Sequence, residues 1–307
     1  MILGQDVKVG KLPAPQARPQ RRGWPERLKL VLMLAPALAV IGLLFLGGLA
    51  LAVMQSLGYL PFLGRTELSL EAYRHIFGRE DFFRSLFLSL WISLVATGVS
   101  TGLAVIAALI LRRQFRGRRW ATFIFQLNIP IPHLVGAVGI LFLFSQSGFL
   151  ARLAHLAHFI DSPAGFPALV FDPLAVGIIL QYIWKSTTFI GVIVLAVMQS
   201  VGEDYEQVAQ SLGANRWQRF RYVLLPLIMP GILSASTLVF AFTFGAFEVP
   251  LLLGQRYPSA LPVLAYRYYT DADLNFRPEA MAVSVFVSLA VTLLIFVYFK
   301  LSQKVAS

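Results

Sequence analysis

A chain of 307 residues with 57% hydrophobic side chains, 13% charged ones and a mean hydropathy of +0.71 has lipid for its solvent. Without cysteine, it has no disulfide, thiol nucleophile or Cys-ligated metal. The net charge of +11 is concentrated in connections on one side of the apolar stretches, which is a membrane topology signal and not the footprint of a nucleic-acid binder.

Residues 1–29, with Pro13, Pro15, Pro19, Arg21 and Arg22, lack periodicity and read as a flexible basic tail lying on an anionic membrane surface. Leu30–Met54 is apolar for 25 residues, longer than a signal-peptide core and without a small-residue cleavage site near its end, so it stays in the membrane as span one. Residues 55–84 are mixed; within them LSLEAYRHIFG has the pattern of a short amphipathic surface helix. Ser85–Leu111 is span two, and Arg112, Arg113, Arg116, Arg118 and Arg119 crowd the connection after it. Trp120–Phe144 is span three. It carries Asn128, Pro130, Pro132 and His133, and its prolines remove backbone donors and bend or interrupt the helix. After a connection over residues 145–173 come Leu174–Met198 as span four, Leu227–Leu253 as span five and Ala280–Phe299 as span six, with a tail at 301–307. The expectation is an all-α integral membrane protein with a six-span domain over residues 30–300.

Between spans four and five lies a polar island, EDYEQVAQSLGANRWQRFRYVLLPLIMP, residues 203–230. Tyr205, Val208, Ala209 and Leu212 fall at i, i+3, i+4 and i+7, so a helix gathers them on one face with Glu206, Gln207, Gln210 and Ser211 opposite. Gly213 follows where a helix end favours positive φ, and Trp217, Phe220 and Leu224 mark a second short helix beside Arg216, Arg219 and Arg221. Gly213 therefore reads as a corner.

This island resembles the signature loop of ABC-importer permeases, whose pattern runs Glu-Ala-Ala, three residues, Gly, then a hydrophobic stretch to Leu-Pro. Ala209, Gly213, Ala214, Trp217, Phe220, Leu225, Pro226 and Pro230 fall on it. The family's acidic position falls on Gln207, Val208 replaces the first Ala, and Glu206 supplies a carboxylate one residue early. The resemblance, clearest from about Ser85 to Phe299, implies the type I importer transmembrane fold in a bacterial inner membrane and no cofactor on this chain. It implies that the loop 202–224 docks on a separate ATPase subunit through Glu206, Gln207, Ala209, Gly213, Ala214, Arg216, Trp217, Arg219 and Phe220. It implies as partners two ATP-binding subunits, a second permease subunit, identical or related, and an extracytoplasmic solute-binding protein. The segment GAFEVPLLLG is similar to the branch serving polyamines, phosphonates and related small polar solutes.

The charge distribution agrees independently. Seventeen Lys and Arg residues fall in the N-terminal tail, the connection after span two, the polar island and the C-terminus, against seven in the other three connections. Both termini are therefore expected inside, on the side that holds ATP. No phosphate-loop pattern occurs in the chain, so any ATP hydrolysis belongs to another subunit. Lys185 in span four and Glu248 in span five are expected to be buried, because an ionisable group in hydrocarbon must face protein or water. They line a translocation path with Asn128 and His133, or they pair with each other to hold helices together; a secondary transporter with Lys185 and Glu248 in a proton relay is the alternative function. Gly98-Val-Ser-Thr-Gly102 has the hydrolase-elbow pattern but sits within a span, where small residues let two helices approach closely. His155, His158 and Asp161 have a metal-like spacing without a further ligand and read as an interfacial turn. Tyr266, Arg267, Tyr268, Tyr269, Asp271 and Asp273 crowd the last connection, as a binding-protein surface or an interfacial aromatic belt.

Overall fold

The structure, a computed structural model, describes residues 26–202 and 204–306, so the expected basic tail lies outside the described residues up to residue 25, as do Glu203 and Ser307. The chain forms two compact units, residues 1–50 and 51–307. The described part of the first, residues 26–50, belongs to one helix, α1 (Glu26–Ser56), which is apolar around its membrane-length stretch.

In the second unit, α2 (Glu71–Gly78) is the expected amphipathic surface helix and is followed by α3 (Glu80–Arg112). Next come α4 (Arg118–Gln126), α5 (His133–Phe144), α6 (Phe149–Leu156) and α7 (Val176–Val201). The polar island supplies α8 (Asp204–Ser211) and α9 (Arg216–Gln218), and the chain continues through α10 (Leu225–Gly245), α11 (Glu248–Leu253), α12 (Leu261–Tyr269) and α13 (Arg277–Ala306). Among the described residues six segments are long and apolar enough to cross a membrane, and there is no strand beyond one isolated bridge between Leu60 and Arg65.

Two of the expected spans and the second helix of the polar island are built differently. Span three is interrupted between Gln126 and His133, because Pro130 and Pro132 cannot donate to a helical ladder, and the membrane-length apolar run is His133–Leu156. The second short helix of the polar island is not separate: α9, a π-helical turn at Arg219–Leu224 and α10 make one continuous run. Pro226 would clash with the carbonyl of Tyr222 in a regular helix, and the wider turn that contains Tyr222 accommodates it. Span five in turn breaks at Ala246–Phe247 and resumes as α11.

The core is centred on α7. Its Ile190, Val194, Leu195 and Met198 pack with Ala104 and Ala108 of α3 and Ile228, Ile232 and Val239 of α10. Its Ile178, Ile179 and Tyr182 pack with Ile92 and Ala96 of α3, Ala137 of α5 and Val249 and Leu253 of α11. Small residues let the helices approach where lipid gives no hydrophobic drive between them. Gly98 and Gly102 are not among these contacts, contrary to expectation: a Cβ on either meets nothing within 4 Å, because α3 presents Ala96, Ser100, Ala104 and Ala108 to its neighbours instead. Close approach occurs at Gly191, where a Cβ would stand 2.6 Å from Cζ of Phe125 on α4. Gly191→Ala should therefore destabilise the protein by about 1–3 kcal/mol through overpacking. Thermal unfolding in detergent measures this, and Phe125→Leu in the same chain should recover part of the loss.

Candidate functional site

Two sites emerge, one at the interrupted third span and one at the polar island. At the first, the break between α4 and α5 leaves carbonyls that no water reaches in a bilayer, and each needs a donor from protein. Helix α7 supplies donors from residues at i and i+4. Gln181 Nε2 donates to the His133 carbonyl at 3.0 Å. Lys185 Nζ donates to the carbonyls of Asn128 (2.7 Å), Ile129 (3.3 Å) and Ile131 (2.6 Å). Asn128 answers with Nδ2 to the Trp184 carbonyl at 2.7 Å and to Thr188 Oγ1 at 3.3 Å. An ammonium has three protons, and Lys185, only 8% exposed, uses each on a backbone acceptor.

Beside this tripod lies a cavity of about 350 Å³ lined by His133, Lys185 and Ser186 together with Phe189, Leu238 and Phe242. The His133 ring packs 4.8 Å, centroid to centroid, from Phe242. Three of the four expected path residues, Asn128, His133 and Lys185, are thus brought together. Glu248 does not line the cavity. It is exposed, contrary to the expectation of burial, because the break at Ala246–Phe247 puts it in the first turn of α11 at the surface of the chain. Among the described residues Lys185 and Glu248 form no salt bridge, so the helix-holding role expected of that pair falls to the carbonyl tripod.

At the polar island, Gly213 adopts φ 87°, the left-handed conformation expected of the corner. Gly213 N donates to Gln210 O at 2.9 Å and Ala214 N to Ala209 O at 3.0 Å, the paired bonds that close a helix end on a left-handed glycine. Asn215 and Gln218 then cap the next helix reciprocally, each side chain accepting from the other's backbone N–H. The amphipathic helix α8 is oriented with its polar side inward. Glu206 is paired with Arg112 at the end of α3 (2.5 Å), and Gln210 accepts from Arg219 (2.6 Å). Its apolar side is exposed: Tyr205 (60%), Val208 (62%) and Leu212 (84%), with Trp217 beyond the corner at 66%. Gln207 is exposed, Ala209 and Ala214 are half-buried, Arg216 is exposed and Phe220 is half-buried against the core.

At the opposite ends of the spans, α12 carries the aromatic cluster of the last connection. Tyr268 and Phe276 stack 5.7 Å apart, with the Arg79 guanidinium over both rings and 3.5 Å from the buried Glu279 carboxylate. The Tyr268 hydroxyl, accepting from Arg79, and the Glu279 charge hold that guanidinium above its ordinary value. His155 keeps one ring nitrogen 3.0 Å from the Ile160 carbonyl in its own turn. The pairing of Arg112 with Glu206 and the role of Gln181 were missed from sequence. Gln181 left a signal, a second polar side chain four residues before Lys185 in an apolar span; the partner of Arg112 left none.

The family described as binding-protein-dependent transport system inner membrane component matches residues 100–306. The sulfate transport system permease protein CysT of Salmonella typhimurium is 27% identical over 192 residues, 62% of this chain and 66% of that protein. PhnV of the same organism, whose name refers to 2-aminoethylphosphonate transport, is 28% identical over 196 residues, 62% of this chain and 63% of that protein. The chain therefore spans just under two thirds of the length of these curated relatives. In fold it is similar to a bacterial ABC transporter involved in the import of the acidic polysaccharide alginate, with a TM-score of 0.75 and 20% identity over 92% of this chain and 97% of that one. A second structure of a bacterial alginate ABC transporter, in complex with an alginate pentasaccharide-bound periplasmic protein, gives a TM-score of 0.75 at 19% identity over 91% of this chain and 96% of that one.

Lys185→Met removes three donors at once and should lower the unfolding temperature by several degrees, since each stranded carbonyl costs about 1–3 kcal/mol. The exchange Lys185→Glu with Glu248→Lys should fail to restore stability, because a carboxylate at position 185 cannot donate to the carbonyls of Asn128, Ile129 and Ile131. Thermal melts of the purified variants check both outcomes.

Proposed function

Because the chain belongs to the family of binding-protein-dependent transport system inner membrane components, we propose that it is the permease subunit of an ATP-driven importer, docking its ATPase subunit through the α8–α9 corner. The observation that carries this reading is the orientation of α8. A helix whose polar side pairs with its own chain, and whose Tyr205, Val208 and Leu212 face solvent, is built to be covered by a partner. Glu206 is engaged by Arg112, so the partner meets an apolar knob flanked by Gln207, Gly213, Ala214, Arg216 and Trp217.

In this reading the corner and both termini face the cytoplasm, and two ATP-binding subunits close against two permease subunits. The continuous run from Arg216 to Gly245 carries that motion to Leu238 and Phe242 at the cavity. Switching a two-state bundle from 1:99 to 99:1 takes about 5.5 kcal/mol of differential interaction, so the corner must be stiff, and its reciprocal caps supply that stiffness. A solute-binding protein delivers solute at the opposite face. The cavity is lined by Lys185 and His133 and by no carboxylate, which favours a small anion of the phosphonate or sulfate kind over a polyamine.

Gly213→Pro removes the N–H that closes α8 and cannot adopt φ 87°. It should leave the protein inserted while ATP-dependent uptake in proteoliposomes with its ATPase subunits falls to background. Leu212→Asp should instead weaken co-purification of the ATPase subunit. Uptake that persists without ATP and collapses with the proton gradient would assign the chain to ion-driven transport.

A further inference from the structure

Between the end of α3 and the inner side of α8 lies an open depression of about 650 Å³. Four guanidiniums line it, those of Arg112, Arg113, Arg216 and Arg219, against one carboxylate, Glu206. Arg112 is committed to that carboxylate. Arg219 gives one nitrogen to Gln210 and keeps Nε buried without a hydrogen-bond partner. Arg113 and Arg216 form no ion pair among the described residues. Three like charges thus converge on a concave surface without a counter-charge from the chain, an arrangement that an anion stabilises.

We infer that this depression binds a phosphate-bearing anion, and that the headgroup of an anionic phospholipid is its source. The guanidinium fork matches phosphate oxygens two at a time, and a buried Nε is one of the donors such a fork presents. The floor is apolar, formed by Leu109, Phe220 and Leu224, which suits an amphiphile better than a free ion. Two membrane-length helices, Glu80–Arg112 and Arg216–Gly245, end at its rim, so it sits at the height of the headgroups. The apolar knob of Tyr205, Val208 and Leu212 does not line the depression, which shares Gln207 and Arg216 with the knob's border, so a partner on the knob reaches the rim and leaves Leu109 and Arg113 on the α3 side to lipid. The inference rests on the charge and position of the depression, which shares Gln207 and Arg216 with the proposed docking surface.

The test uses the transporter assembled with its ATPase subunits, in phosphatidylcholine nanodiscs with and without phosphatidylglycerol, with retained lipid counted by native mass spectrometry. Arg113→Gln, at a residue outside the proposed docking surface, leaves the Arg112–Glu206 and Arg219–Gln210 contacts intact. It should lower phosphatidylglycerol affinity roughly ten-fold with an unchanged melting temperature. Arg113→Lys, which keeps charge and loses the fork, should fall between. Titration of delipidated protein with inorganic phosphate separates the sources: binding there that also blocks phosphatidylglycerol retention supports the phosphate site and makes free phosphate its ligand. Equal retention by wild type and the Gln variant, with no phosphate binding by either, overturns the inference. So does a Gln variant that loosens the ATPase subunits while retaining lipid unchanged, which would make the depression part of the partner interface.

Discussion

One ammonium group makes the interrupted third span possible. The sequence places Pro130 and Pro132 in a stretch that must cross lipid, and the helix gives way between Gln126 and His133. Freed carbonyls in hydrocarbon are intolerable without donors, and Lys185 meets three of them from the most enclosed helix of the bundle. Charge and break justify each other: a lysine at that depth is costly without acceptors, and carbonyls are costly without a donor. The cavity exists because this exchange holds α5 away from the line of α4 and turns His133 toward Phe242.

The polar island follows a different economy. Its backbone is closed locally, by the left-handed Gly213 and by the Asn215–Gln218 caps, so its shape needs little from the bundle. What it takes from the bundle is orientation. Arg112 and Arg219 hold the polar side of α8 inward, and the side that would ordinarily be buried is left facing out. Glu206, one residue ahead of the acidic position in the family pattern, thereby serves its own chain.

The legible parts were those fixed by local chemistry. Hydropathy located the spans, proline spacing located the break, and Gly213 announced its own φ. Glu248 was expected to be buried because its helix was read as unbroken, and the break at Ala246–Phe247 leaves it exposed on the chain. The π-helical turn escaped notice because its i→i+5 bonds leave no periodic trace over six residues. Which partner Lys185 or Arg112 would find was illegible for a shared reason. Both contacts join residues more than fifty positions apart, and charge alone does not distinguish a carboxylate from a backbone carbonyl.

The uninterrupted run from Trp217 to Phe242 is about 37 Å of helix at 1.5 Å per residue, and a hydrogen-bonded rod neither stretches nor slackens. Its irregular section is the widened turn at Arg219–Leu224, close to the corner and far from the cavity. If a partner docks at the corner as proposed, a push applied at Trp217 would reach Phe242 by tilting the whole shaft.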